Sequence, residues 1–248
     1  MSAIKEKKIK YALITGAAKR IGASISRNIH QSGYNVGIHY HSSKKDAKKL
    51  CDELNAERAG SAQIFKADIT QISDAKILVN SFLQWGGKVD LLINNASSFY
   101  PTPIGDITEE NWNDLIGTNL KGPLFISQEA SASLRKNKGS IINLVDIHIK
   151  SPPKDHAVYI VAKAGLEILT RSLARDLAPE VRVNGISPGA ILWPEGNLDK
   201  ATKDKILNSV PLKRKGDPQD ISDCVLFLIN SAGYISGQTI SVDGGKSI

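Results

Sequence analysis

Cysteine, methionine, aromatic residues and acids are all in short supply in this chain, and each shortage narrows what it does. Two cysteines, Cys51 and Cys224, lie far apart and match no metal-ligand or redox spacing. They read as thiols of a reducing compartment, so a cytoplasmic setting and no metal site are expected. No window reaches the ~18 consecutive apolar residues of a membrane helix, and the opening MSAIKEKKIK lacks the apolar stretch of a signal peptide. Bases outnumber acids, 32 to 25, for a net charge of +7. The bases sit in short clusters at Lys5–Lys10, Lys44–Lys49 and Lys213–Lys215. None is interleaved with aromatics as a platform for stacked bases requires. Nucleic acid is therefore not an expected partner; a solvated basic surface or attraction of a small anion is.

What remains is an ordinary globular composition, 41% apolar and 23% charged over 248 residues, enough for a full core. Short apolar runs alternate with helical patterns from end to end. The strand-like runs are KYALIT (10–15), YNVGIHY (34–40), SAQIFKAD (61–68), VDLLIN (89–94), GSIINLV (139–145), VRVNGIS (181–187) and QTISV (238–242). Between them, IGASISRNIHQSG, AKKLCDELNAERAG and GLEILTRSLARDLAP carry helical spacing and end near Gly or Pro. This alternation predicts one α/β domain over 1–248, a Rossmann-type doubly wound parallel sheet of about seven strands. Residues 188–217 follow the sixth strand at the sheet edge where such folds bind ligands. They read as a substrate loop with one short helix or as a plain surface excursion.

ALITGAAKRIGASI, in the first βα unit, is a strand, a glycine turn and a helix start. Gly16 and Gly22 stand at the first and last glycines of a dinucleotide fingerprint, with Lys19, Arg20 and Ile21 between them and Arg20 at the middle glycine's place. Amides at the helix start can hold a pyrophosphate. An NAD site carries an acid ~20 residues further on, but here the second strand runs into His41, Ser42, Ser43 and Lys44 with no acid before Asp46. Hydroxyls, a histidine and cations suit a 2′-phosphate, so NADPH is the expected cofactor. Asp68, ending the third strand, suits the adenine amino group or a helix-start turn with Thr70 as the cap.

Tyr159 and Lys163, four apart on one helix, project into one space. A neighbouring ammonium favours tyrosinate, so the tyrosine is expected to titrate below ~10, toward general-acid use. With them come the glycine turn, NNA at 94–96, Asn119 in a helix, and Pro188-Gly189 after the sixth strand. Together these residues resemble the short-chain dehydrogenase/reductase family over essentially the whole chain. The resemblance implies hydride transfer with a nicotinamide cofactor and Tyr159 as proton donor. It also implies Lys163 on the ribose, Asn119 supporting a relay water, Asn95, Ala96, Pro188 and Gly189 against the cofactor, and a homotetramer.

One position departs from the family pattern: thirteen residues before the tyrosine, where serine is usual, stands Asp146. TGAAKRIG, HYHSS, NNASSFYPTP and the Asp146–Tyr159–Lys163 set resemble the pteridine reductases and the bacterial dihydromonapterin reductases. That resemblance implies that Arg20 reaches both cofactor phosphate and pterin, that Ser97 contacts the pterin and that Phe99 stacks on it. Protozoal pteridine reductases carry Arg after HYH, where this chain has Ser42.

An ionised aspartate only accepts hydrogen bonds, which suits a substrate with N–H groups or a water that protonates a ring nitrogen. The expected activity is NADPH-dependent reduction of a dihydropterin, with dihydrofolate a further candidate. A carbonyl reductase acting on acyl or sugar ketones, and a catalytically silent NADP-binding regulator, are the alternatives. Asp146 as a residue that merely ends a strand or caps a turn, and Phe99 as ordinary loop packing, remain open readings.

Overall fold

Alternate residues of each strand enter different cores. In the computed structural model, which describes residues 9–193 and 199–248, Ala12 and Ile14 face one layer while Leu13 faces the other, and Leu91 and Ile93 oppose Leu92 in the same way. Both faces are covered, so the strands read as continuous apolar runs rather than as alternating ones. The sheet is wholly parallel, in the order β3-β2-β1-β4-β5-β6-β7. Its strands are β1 (Lys10–Ile14), β2 (Tyr34–Tyr40), β3 (Ala62–Lys66), β4 (Leu91–Asn94), β5 (Ser140–Leu144), β6 (Arg182–Pro188) and β7 (Thr239–Val242). All seven expected runs are strands, their ends agreeing within two residues.

Helices α1 (Arg20–Gln31), α2 (Lys44–Glu57) and α8 (Pro218–Asn230) cover the first face, where Ile25, Ile29, Leu50, Leu54, Ile221 and Val225 meet the sheet. On the second face lie α3 (Ile72–Gly86), α5 (Gly122–Asn137) and the carboxyl end of α6 (Ala157–Asp176), through Leu78, Phe82, Ile126, Leu134 and Ala174. Burying each large aliphatic or aromatic side chain contributes ~1.5–3 kcal/mol. Helix α4 (Glu109–Ile116) runs into α5 through a π-helical turn, Gly117–Lys121. The expected loop carries its short helix, α7 (Lys200–Asn208), but its residues 194–198 lie outside those described, as do Lys5–Lys8 of the first basic cluster.

A buried polar ladder sets where α6 sits. The Asn94 carboxamide on β4 donates to Asn143 Oδ1 on β5 (2.8 Å), Asn143 Nδ2 donates to Thr170 Oγ1 on α6 (2.8 Å), and Thr170 donates to Leu166 O (2.8 Å). All three side chains are buried, where an unmet polar group costs ~1–3 kcal/mol, so the ladder resists slippage of α6. Tyr159 and Lys163 therefore hang over the carboxyl end of β5 at a defined height. Sheet order reverses between β1 and β4, the crevice at which open α/β sheets bind ligands.

Candidate active site

The crevice at that reversal opens into a cavity of about 930 Å³. Gly16 to Gly22 form one wall, His39 to Ser43 at the end of β2 a second, Asp68 to Gln71 a third, and Asn95 to Ser98 the floor toward the catalytic side. Gly16 has φ +59, and a Cβ on it would lie 2.7 Å from Ala96 Cα; a Cβ on Gly22 would fall on Gly16 O and 2.6 Å from the Asn95 amide nitrogen. Only glycine lets the loop close this tightly. Asn95 Nδ2 donates to Thr15 O and Gly16 O, and Thr15 Oγ1 accepts from the Asn95 and Ala96 amides, clamping the ends of β1 and β4 together. Arg20 holds φ +53, a left-handed conformation that glycine takes freely and that costs another residue ~1–2 kcal/mol. Its guanidinium donates to Trp193 O at 3.3 Å.

The same cavity has the right ends for a dinucleotide. Neither α1 nor α2 has a side-chain N-cap bond, and α1 has no acid in its first turn, so their first amides and dipoles remain available to anions. The one acid near α2's start, Asp46, is paired with Lys19 at 3.2 Å. Asp68 lines the wall, its Oδ1 accepting from Thr70 N (3.0 Å) and Thr70 Oγ1 (2.7 Å). Burial would raise its pKa, but the bonds from Thr70 outweigh that and hold it below the usual range. The residue at the N-cap of α3 is Gln71, correcting the expected Thr70, because Thr70 is turned back onto Asp68.

Beyond Ser97 lie buried polar side chains. Ser97 Oγ donates to Asn119 Oδ1 (2.7 Å), and Asn119 Nδ2 donates to Ser98 O and Leu115 O (both 2.9 Å). The π-helical turn carries this buried asparagine to the loop, a common use of such turns at functional sites. Tyr159 and Lys163 are 4% and 3% exposed. Tyr159 OH donates to Asp146 Oδ2 at 2.6 Å, while Asp146 Oδ1 accepts from the amide and from Nδ1 of His148 at 2.8 and 2.7 Å. Lys163 Nζ donates to Leu144 O (2.8 Å) and lies 5.8 Å from the Tyr159 ring centroid. Phe99 stacks on His156 (4.7 Å between centroids, 19°) and meets Tyr159 edge-on at 4.8 Å, with 54% of its surface free.

Burial and then the charge of Asp146 push the tyrosine upward, opposed by the Ser97 hydroxyl. This corrects the expected downward shift. Lys163 is itself buried, which holds it down to about 8 with Asp146 opposing. Asp146 would be raised by its burial, yet the bonds from His148 and Tyr159 keep it below the usual carboxylate range.

A family model described as "Enoyl-(Acyl carrier protein) reductase" matches residues 16–247. The chain is 37% identical to pteridine reductase 1 of Leishmania tarentolae, over 96% of each protein. It is 38% identical to a 3-oxoacyl-[acyl-carrier-protein] reductase FabG of Staphylococcus epidermidis and 36% identical to one of Staphylococcus aureus. Those matches span 95% and 96% of this chain and 98% of each relative. The chain belongs to the short-chain dehydrogenase/reductase family. It is an oxidoreductase whose family uses a nicotinamide dinucleotide.

For a short-chain reductase, the expected residues divide into two sets. Gly16, Lys19, Arg20, Ile21, Gly22, His41, Ser42, Ser43, Asp68, Asn95, Ala96 and Ser97 all line the cavity. Asn119, Asp146, Tyr159, Lys163 and Phe99 do not; they lie beyond Ser97. Pro188 and Gly189 also lie outside its lining. Gly189 is packed against Asp243, where a Cβ would lie 2.6 Å from the Asp243 Cβ, and its amide bonds to Val242 O.

Sequence reasoning did not single out His39, His148 or His156, each of which bonds to or stacks on a residue of the site. His39 is buried beneath the Gly16–Gly22 loop, Nδ1 accepting from the Gly16 amide (3.1 Å) and Nε2 facing Ala67 O (3.2 Å). These partners define a neutral imidazole with the proton on Nε2, and burial holds its pKa down to about 4. The unfolded chain binds a proton near 6.5 that the folded chain refuses, so stability is full above that value and falls as pH drops toward 4. Between about pH 7 and about pH 5 the loss from His39 is ~2 kcal/mol. Urea midpoints of wild type and His39→Gln across this range check it; an equal slope in the variant would remove His39 as the cause.

Proposed function

We propose that the protein is an NADPH-dependent reductase of dihydropterins, acting on C=N bonds of dihydrobiopterin, dihydromonapterin or dihydrofolate to give the tetrahydro form. The observation that carries this reading is the carboxylate of Asp146, 2.6 Å from the Tyr159 hydroxyl. With burial it makes Tyr159 a weaker acid than free tyrosine. An imine nitrogen is far more basic than a carbonyl oxygen and takes its proton from a weaker acid. A developing alkoxide would also be repelled by a neighbouring carboxylate.

The bound cofactor supplies the hydride. The residues suited to hold it are Gly16, Ile21 and Gly22 at the pyrophosphate, with Arg20, His41, Ser42 and Ser43 at the 2′-phosphate. Asp68 would meet the adenine, Asn95 and Ala96 would support the cofactor, and Lys163 would hold the ribose. An uncapped α2 start and the absence of a ribose-directed acid favour NADPH over NADH. Tyr159 delivers the proton, Asp146 orients that hydroxyl, and Ser97 and Phe99 border the substrate. Asn119 would then hold Ser97 and Ser98 in place, in addition to supporting a relay water.

A second reading, a 3-oxoacyl or related carbonyl reductase, rests on the comparable identity to the two FabG proteins. NADPH oxidation followed with oxidised and dihydro pterins, dihydrofolate and a 3-oxoacyl thioester separates the two. Turnover of the thioester alone would end the pterin reading. Exposed Leu124 on α5 with Val161 and Ile168 on α6 suits pairing with other copies in a homotetramer, to be measured by sedimentation. Two free thiols and the lack, among the described residues, of a helix long and apolar enough to cross a membrane fit a cytoplasmic protein.

Phe99→Ala should raise the pterin KM about five-fold, since an aromatic contact is worth ~1 kcal/mol beyond area, while NADPH Kd stays nearly constant. His156 already covers one side of the ring, so only the free side is open to a pterin. Unchanged KM with weakened NADPH would make Phe99 a part of the scaffold.

A further inference from the structure

His148 lies two residues beyond Asp146, in the 3-10 turn Ile147–Ile149 that Asp146 itself caps. The carboxylate is shared: Oδ1 takes both His148 donors and Oδ2 takes the Tyr159 hydroxyl. His148 is thus the one neighbour of Asp146 in this chain of bonds that also reaches solvent, its side chain 36% exposed against 18% for Asp146. When Tyr159 gives up its proton, a phenolate would stand beside a carboxylate in a buried site. Two like charges at that separation are strongly disfavoured. A cation on the far oxygen relieves this.

We infer that His148 is a positioning residue and proton store for the reduction, acting through Asp146 on Tyr159; the inference rests on the dihydropterin reading of the site. As the Tyr159 O–H bond breaks and the substrate N–H bond forms, the imidazolium Nδ1–H bond breaks and an O–H bond forms on Asp146. His148 becomes neutral, and Asp146 with Tyr159 carries one negative charge instead of two. Asp146 then returns that proton to the phenolate, and solvent recharges the imidazole. The other ionisable groups around this unit are Lys163, beneath Tyr159 and bonded to Leu144 O, and Lys150, at the end of the same turn and felt by Asp243. His156 faces Phe99.

Two variants separate placement from proton storage. His148→Asn keeps an N–H donor near the Nδ1 position without a titrating proton; His148→Leu removes both. In His148→Leu, kcat should fall by about 10-fold or more, the lower part of the general-acid scale, with NADPH Kd unchanged. His148→Asn should recover part of that loss. The pH profile of kcat should differ between wild type and His148→Asn, the variant lacking whatever limb His148 supplies while keeping any limb due to Lys163 or Tyr159. Nitrogen-15 NMR of the cofactor-free protein should show His148 protonated on Nδ1, and should lose that signature in Asp146→Ser.

Unchanged kcat in His148→Leu, or a wild-type pH profile in His148→Asn, would overturn the inference. If wild type reduces only a 3-oxoacyl substrate, the pterin reading fails by itself, and the same variant comparison on that substrate still decides for or against His148.

Discussion

Asp146→Ser should lower kcat on a dihydropterin by about 10²-fold, the ordinary scale for a general acid–base partner. The variant restores the serine usual in the family while removing the charge that, after burial, does most to hold Tyr159 up. Tyr159 should then be a stronger acid than in wild type. NADPH affinity should survive, because Gly16, Arg20 and Lys163 keep their surroundings. Stability should change by only ~1 kcal/mol, since serine can still meet Tyr159 and the half-buried His148 can turn to water. A gain of weak ketone reduction would accompany the loss, as a neutral donor replaces the carboxylate. The measurement is kcat on dihydropterin and on a 3-oxoacyl substrate, with cofactor Kd determined separately. Pterin turnover equal to wild type would reduce Asp146 to a strand-end residue.

That prediction draws on two different kinds of legibility. The strands were readable because a parallel sheet buried on both faces demands mostly apolar runs, and the runs that end in Ile14, Tyr40, Asn94 and Leu144 are of that kind, interrupted only by single polar residues such as His39 and Asn143. The tyrosine and lysine were readable because a four-residue spacing on a helix places two side chains together without any knowledge of the tertiary fold. Their electrostatics were not. Spacing says that Lys163 is near Tyr159, but the sign of the shift depends on burial and on a carboxylate brought in from the end of β5. Neither can be read from a local window.

The histidines fail for the same reason. His39 looks like one more polar residue closing β2, yet parallel pairing with β1 and β3 places it under Gly16 and beside Ala67. His148 did carry a local signal, an aspartate two residues before it, the spacing of a short turn. Asn94, Asn143 and Thr170 lie on three separate elements, and only the assembled layers make them a ladder. Conversely, Pro188 and Gly189 were legible as a motif, while the packing of Gly189 on Asp243 was not.

Arg20→Gly should separate two properties that are coupled in one residue. Arg20 holds φ +53 on the cavity wall, and among the described residues no carboxylate pairs with it; Lys19 beside it is already engaged by Asp46. Strain of this kind clusters at functional sites. Glycine relieves the left-handed conformation, which should raise stability by ~1 kcal/mol. The guanidinium is lost, and a charge-assisted contact to phosphate is worth ~1.5–3 kcal/mol, so NADPH Kd should rise by about 10- to 100-fold. Wild type should prefer NADPH, and the variant should lose far more affinity for NADPH than for NADH. The wild-type preference should also weaken with added salt, because the contact is exposed. Arg20→Gln keeps the strain without the charge; it should match the glycine variant in cofactor affinity and the wild type in melting temperature. Calorimetric Kd for both cofactors, with thermal melts of the three proteins, reads both effects. Equal affinity of wild type for NADPH and NADH would remove Arg20 and the β2 end from the 2′-phosphate, and would leave the arginine strained for some purpose other than the cofactor.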